Sequence, residues 1–322
     1  MKNRIGVLPV FLTAIVLFSP AVLAQDGPEN SDTAVDTAEL YDLAYKFNVG
    51  ETLRWEVIHK LTVQTTIEGT TETAKTRSES VKAWKVTDVT PEGIITFVNS
   101  VESVKMTKEL SDRAEVEYDS QRDAVPPAGY EATAKVIGVP LTMFRINSRG
   151  KLLRREPRHA QSDGNDSTPV TVRLPDSPVA IGATWTQPFD VVARLKNGNP
   201  RPLKARQRME LESVADGIAT IAVDFQILDP AARHDPNIMV QVMHRLSRGK
   251  VRLDIEAGRI ISQEMTIDER VLGFSGASSS MHHLMSFSER ILKANEKVAK
   301  KPPRPIGPQR DTSLPADRGT LD

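Results

Sequence analysis

Residues 50–106 read GETLRWEVIHKLTVQTTIEGTTETAKTRSESVKAWKVTDVTPEGIITFVNSVESVKM, and the fold follows from how this stretch alternates. Trp55, Val57, His59, Leu61 and Val63 hold one parity, while Arg54, Glu56, Lys60, Thr62 and Gln64 hold the other; only Ile58 breaks the rule. A side-chain period of two is that of a strand with one buried and one wet face. After a turn candidate at Gly69-Thr70-Thr71, a Thr/Ser/Lys/Glu-rich run leads to Val81–Val86. The chain turns again at Pro91-Glu92-Gly93 and returns as Ile94 to Val104. There proline fixes φ and glycine tolerates a positive φ. The reading is three long antiparallel strands. Trp55, Val57, Leu61 and Val63 are the candidate ligand-binding stripe on the inward face, and His59 is expected to be a core residue bonded to a neighbour.

Upstream, Leu43, Tyr45 and Phe47 alternate as a short strand leading into Gly50. Downstream, Ala114 to Tyr118 is a short strand, and Gly129 to Ile137 is the one helix candidate, ended by Gly138 and Pro140. Leu141–Ile146 and Leu152-Leu153 flank Asn147-Ser148-Arg149-Gly150, a hairpin signature. The second half repeats this grammar. Gly182-Ala183-Thr184-Trp185 echoes Gly50–Trp55. Met209 to Ile218 echoes Trp84 to Ile94, and Glu256 to Ile261 echoes Ser148 to Leu153. Three landmarks recur in one order, spaced 43 and 57 residues in the first half against 35 and 41 in the second. The last strands are expected at Val251–Ile255, Arg259–Ile267 and Met281–Leu292. The apolar positions of the last also fit helical spacing.

The predicted fold class is mainly β: a large antiparallel sheet, barrel or half-barrel like, in two similar halves with one short helix near 129–137. The predicted organisation runs as a signal peptide (1–24), an acidic linker (25–40), a first β half (41–157), a connecting loop (158–178), a second β half (179–292) and a Pro/Lys-rich disordered tail (293–322). Lys2 and Arg4 precede an apolar run from Ile5 to Phe18 and then Ala21-Val22-Leu23-Ala24, the layout of an export signal too short in its apolar part for a bilayer span. Residues 25–40 carry five acids and no base, and residues 293–322 contain five prolines; neither can bury enough apolar surface to fold. The expected location is bacterial, periplasmic or extracellular.

Composition narrows the chemistry. Lys+Arg and Asp+Glu each number 42 in 322 residues, so no net field attracts nucleic acid or an anionic membrane. The absence of cysteine excludes disulfides, thiolate metal sites and a cysteine nucleophile. Gly273-Phe274-Ser275-Gly276 lacks the spacing of a nucleophile elbow. No phosphate-binding or dinucleotide glycine loop occurs. His282 and His283 are adjacent, and on a strand they point to opposite faces. His234 and His244, with Asp235, lack the spacing of a zinc site. Aromatic residues at 5% do not suit a stacking platform for sugars, and Trp55, Trp84 and Trp185 read as core. No catalytic residue, cofactor or metal is expected. Lipid or an envelope protein are the partner classes that remain.

Across Gly50–Trp55, Trp84-Lys85-Val86-Thr87-Asp88-Val89 and the Gly150-Lys151 and Gly258-Arg259 turns, the chain resembles a family of uncharacterised exported bacterial β-rich proteins, of the domain-of-unknown-function type, over Tyr41 to Leu292. That resemblance implies export and a β fold and lends no catalytic residues. At fold level the chain is also similar to periplasmic lipoprotein-carrier half-barrels, which implies a concave sheet able to take acyl chains. Three functions follow: a non-enzymatic domain binding an apolar or amphipathic ligand on a curved sheet, a structural or protein-interaction module of the envelope, or a hydrolase with an unrecognised site. An apolar cavity favours the first, and histidines converging with carboxylates favour the third.

Overall fold

The computed structural model describes residues 39–159 and 170–293. The expected signal peptide, nearly all of the acidic linker and of the tail, and part of the connecting loop lie outside these residues. The first run of strands is β1 (Thr52–Ile67), β2 (Thr70–Val89), β3 (Ile95–Leu110), β4 (Val116–Asp119), β5 (Thr142–Ile146) and β6 (Leu152–Pro157), with helix α1 (Glu131–Ala134) between β4 and β5. The second is β7 (Thr184–Arg194), β8 (Pro200–Ala215), β9 (Ile218–Ile227), β10 (Arg248–Asp254), β11 (Arg259–Leu272) and β12 (Ser280–Ile291). Helices α2 (Pro230–Arg233) and α3 (Pro236–Val242) and a 3-10 turn (Met243–Arg245) lie between β9 and β10.

All twelve strands belong to one antiparallel sheet, ordered β6-β5-β3-β2-β1-β12-β11-β10-β9-β8-β7, with β4 beside β3. The sheet is a half-barrel: β6 and β7, neighbours in sequence, are its two free edges. Its centre is the pairing of β1 with β12, in unbroken register from Trp55 opposite Ile291 to Thr66 opposite Ser280. Two-residue turns set the register of two hairpins. Glu68 and Gly69 (φ 50° and 81°) close β1 onto β2, and Asp216 and Gly217 (φ 51° and 73°) close β8 onto β9. Positive φ at both central positions matches the right-handed twist of the strands.

The three recurring landmarks occupy equivalent corners. Shifting β1, β2, β3, β5 and β6 onto β7 to β11 places Gly50 on Gly182, Gly93 on Gly217 and Gly150 on Gly258, all with φ between 60° and 87°. The hydrogen bonds follow suit. Gly50 N donates to Val86 O (3.0 Å) and Val86 N to Glu51 O (2.9 Å); Gly182 N donates to Leu211 O (2.7 Å) and Leu211 N to Ala183 O (3.0 Å).

The core is made where both runs curl together. Trp55, Trp84, Phe97 and Phe144 from the first meet Met209, Leu211, Ile221, Val251 and Leu253 from the second. Two lead-in segments fill the space between them, and here one expectation is corrected. Leu43, Tyr45 and Phe47 alternate and are buried, yet they form no strand. They cross the corners instead of joining the sheet: Tyr45 N donates to Ser148 O (2.7 Å) and Lys46 N to Gly258 O (2.9 Å). Val172 and Leu174, which lead toward β7, pack at the first of these corners beside Tyr45, with Leu174 N donating to Arg149 O (2.9 Å).

Two helices also went unread in the sequence. Asp229-Pro230 and Asp235-Pro236 start α2 and α3, each aspartate accepting a backbone N–H while proline takes the first turn. Ile238 and Val242 of α3 join Val191, Ala193, Leu203 and Ala205 in a second core that covers the inner face of β7–β9.

Candidate functional site

Directly opposed residues on antiparallel strands share a face, so the register extends the core's inner face outward. Trp55, Val57, His59, Leu61 and Val63 of β1 lie on it, opposite Ile291, Glu289, Phe287, Met285 and His283 of β12. Met265, Ile267 and Glu269 continue it on β11. Ser80, Ser78 and Thr76 continue it on β2, and Val104 and Met106 on β3. Beyond the core this face is a trough. Val57, Leu61, Val63, Met281, Met285 and Phe287 are all half-buried there. Methionines from two strands, Met265, Met281 and Met285, make its wall deformable, whereas Met106 on β3 packs against Val104, Tyr118 and Tyr130 beside α1.

The structure divides the predicted stripe. Trp55 is packed in the core at 2% exposure, its ring 4.9 Å from that of Trp84 and its Nε1 donating to Ile260 O (3.2 Å). Val57 packs against the edge of the core. Leu61 and Val63 face the open trough. Trp84 is buried as expected, stacked 4.3 Å from Phe97, and Trp185, partly buried, donates from Nε1 to Arg173 O (2.7 Å). His59 joins none of the buried clusters, and no hydrogen bond of its ring occurs among the described residues.

The trough floor is ionic, which no sequence pattern announced. Glu289, 5% exposed, accepts from Lys82 Nζ at 2.8 and 2.9 Å and from Gln263 Nε2 at 3.0 Å. The same ammonium sits 5.0 Å from the ring centroids of both Trp55 and Trp84. Lys82 and Glu289 belong to strands on either side of β1, so the pair ties the two runs together beneath the trough. A parity rule on β2 and β12 does put both side chains inward, and that was the available signal.

Higher on the wall a polar seam interrupts the apolar surface. His283 stands directly opposite Glu269. The adjacent histidines part as strand geometry requires: His283 faces in, while His282 faces out and bonds Asp268 Oδ1 at 2.7 Å. Burial holds the imidazole of His59 below its ordinary range. It does the same for His283, with the nearby His59 adding to the effect. His244, on the 3-10 turn beside β11, is lowered chiefly by burial, then by Arg245 and His283. Burial raises the Glu269 carboxyl, against the pull of Arg248. Glu269 also lines a pocket of about 300 Å³ with Phe225, Met239, Leu246 and Arg248. Histidine and carboxylate therefore do converge. Ser78 lies opposite His59, but no hydrogen bond joins them among the described residues. No group of three histidines or carboxylates among the described residues could hold a metal ion. A second concavity, of about 500 Å³, lies on the outer face between Lys85, Val98, Pro140 and Arg158. No helix among the described residues is long and apolar enough to cross a membrane.

No family model and no curated protein matches the chain. Among solved structures it is similar to lipovitellin, in a study of lipid–protein interactions, at 11% identity and TM-score 0.42. That match covers 80% of this chain, which spans only 26% of lipovitellin. An outer membrane channel from Pseudomonas putida F1 is similar at 9% identity and TM-score 0.24, over 77% of this chain and 97% of the channel. A DUF1329 family protein from Desulfovibrio piger is similar at 11% identity and TM-score 0.14, over 74% of this chain and 86% of that one. These scores are too low to carry a functional argument, and the site is read from its own side chains.

Proposed function

We propose that this chain is an exported, non-enzymatic β-domain that binds an apolar or amphipathic molecule in the trough lined by β3, β2, β1, β12 and β11. One observation carries the reading. Much of the inner face of β7–β9 is covered by α2 and α3, whereas beyond the core the inner face of β1 and β12 keeps a methionine-rich apolar surface half open. Leaving such a surface open forgoes about 25 cal/mol for each Å² not buried. Patches of this kind on stable proteins mark binding sites. Leu61 and Val63 of the predicted stripe would touch the ligand, with Val57 at the lower end. Trp55 would act through the core beneath it. Export rests on the composition of residues 1–24, and the partner class is lipid-like.

The test is fluorescence of N-phenylnaphthylamine, an uncharged apolar probe, on the purified chain. Saturable enhancement is expected in the parent, with loss of about tenfold or more in affinity for Leu61→Asp or Met285→Asp. Thr62→Asp, on the outer face of the same strand, is expected to bind as the parent does. No saturable signal in the parent would overturn the reading. Where the signal saturates, native mass spectrometry of protein from its own host identifies what occupies the trough.

A further inference from the structure

The outer face of the sheet has a concavity of its own, formed where two segments converge on the start of β5. The chain leaving α1 crosses the side of β3, Gly138 N donating to Val101 O (2.8 Å) and Leu141 N to Asn99 O (2.9 Å). The chain leaving β6 returns to the same place, Arg158 N and His159 N both donating to Leu141 O (2.8 and 3.3 Å). Between them lies a volume of about 500 Å³ walled by Val98, Gly138 and Pro140, with Lys85, Arg158 and His159 around it and no acid in its lining. No hydrogen bond or ion pair of the Lys85 ammonium occurs among the described residues. Arg158 reaches over Met143, its Nη2 3.4 Å from the sulfur, and meets Glu156 only at 3.7 Å, a carboxylate that Arg154 holds at 3.2 Å. Two residues along β5 from Met143, Arg145 stands directly opposite Arg154, and like charges so placed weaken a sheet. The Nε of Arg145 is buried with no partner among the described residues. The other acids of this face are Asp88, which stands across Thr96 from Arg145, and Glu102, taken by Arg54 at 2.9 Å. A chain with equal numbers of acids and bases thus gathers an excess of positive charge around one apolar hollow.

We propose that this concavity is a second binding site, separate from the trough, for a small organic anion: one carboxylate or sulfonate on a compact apolar body. Its volume is that of a small-ligand site. Val98 and Pro140 cover the apolar body. The Arg158 guanidinium offers a planar fork to two oxygens of the head, and the Lys85 ammonium adds a point charge. Because Glu156 keeps Arg154, Arg158 can turn from it to a ligand without stranding a carboxylate. An anion in the hollow also offsets the repulsion between Arg145 and Arg154. Lys85 and Arg158 are exposed, so charge alone binds weakly there. The apolar wall supplies the rest of the affinity, and the site therefore selects an anion that carries an apolar body.

Anilinonaphthalenesulfonate and N-phenylnaphthylamine share one apolar skeleton and differ by the sulfonate, so together they separate the two sites. The test titrates both into the full chain and into Leu61→Asp, in which the trough is disabled. In Leu61→Asp the sulfonate probe is expected to bind saturably, and the uncharged probe about tenfold more weakly or not at all. Adding Lys85→Glu/Arg158→Glu is expected to weaken the sulfonate probe by about tenfold or more. The same pair placed in the parent is expected to leave N-phenylnaphthylamine binding unchanged. Sulfonate-probe binding that is absent from Leu61→Asp, that survives Lys85→Glu/Arg158→Glu, or that the uncharged probe matches there would overturn the site. Displacement by methanesulfonate as effective as by naphthalenesulfonate would overturn the apolar body. Should Leu61→Asp lose its fold, calorimetry on the parent chain decides: Lys85→Glu/Arg158→Glu is expected to bind one sulfonate probe fewer, and an equal number would sink the proposal. The trough stands or falls separately, on N-phenylnaphthylamine binding to the parent.

Discussion

The first and second runs of strands share three glycine corners and differ in what lies on their inner faces. In the second, the inner side chains of β7–β9 meet α2 and α3 in a second core, which leaves a pocket beside Phe225 and Met239. In the first, β1, β2 and β3 run on for 16, 20 and 16 residues; the α1 segment covers Val104 and Met106 of β3, while the inner face of β1 stays half open. The corners therefore define the scaffold, and the insertion between β9 and β10 decides which part of the scaffold is core and which is surface. One framework, closed on one side and open on the other, can be stable and still offer a site.

The shared corners give the severest test of this comparison. A Cβ at Gly258 would lie 2.5 Å from the backbone N of Lys46, and one at Gly150 would lie 2.7 Å from Val172 O, both at positive φ. Gly258→Ala and Gly150→Ala are each expected to cost more than about 4 kcal/mol in urea denaturation. Gly50→Ala and Gly182→Ala, whose new methyls meet nothing within 4 Å, are expected to cost only about 1–2 kcal/mol. Unequal costs within either pair would break the equivalence of the two runs. Next come the lead-ins. Leu43→Ala and Leu174→Ala, at 0% and 1% exposure, are each expected to lose about 3 kcal/mol, against less than about 1 kcal/mol for the half-open Leu61→Ala.

The bond between the runs ranks third. Lys82→Met strands a buried carboxylate and is expected to cost about 2 kcal/mol, discounted because Lys82 is partly exposed. Lys82→Met/Glu289→Leu is expected to recover most of it. A double variant as weak as the single would show that the pair is not what ties β2 to β12. The smallest effect is on pH dependence. His59, His244 and His283 have folded-state values below their unfolded ones. The unfolded chain therefore binds more protons, and stability is lost as pH falls through about 6.5. Melting temperature is expected to drop between about pH 7.5 and about pH 5.5, and to drop less in His59→Gln/His283→Gln. Glu269 has the opposite sign: its raised value costs stability as pH rises, so Glu269→Gln is expected to melt slightly higher at neutral pH.

Much of this architecture was legible in the chain because strand parity and turn glycines are local. The alternation from Trp55 to Val63 gave the inner face, and the glycines at 50, 93, 150, 182, 217 and 258 gave the corners. Leu43–Phe47 misled because alternation reports two-sided burial, not hydrogen bonding to a neighbour strand, and an extended plug alternates equally well. The helices α2 and α3 are 4 and 7 residues long, too short for a periodic signal. Only their Asp-Pro caps could have revealed them. The site was less readable. That His283 faces Glu269, and that Lys82 reaches Glu289 across 207 residues, depends on which strands are neighbours, and parity within a strand carries no such information.

The pairing of β1 with β12 sets a schedule as well as a shape. Glu56 and Arg290, bonded across that seam, stand 234 residues apart in sequence. A ribosome therefore makes one side of the central strand long before its complement exists. Until the final strand arrives, β1 presents a bare 16-residue ladder of the kind that recruits other chains. A chain exported before it folds would postpone that hazard to the compartment where it is used. Slow, late zipping of the first strand against the last would then be the rate-limiting step of its maturation.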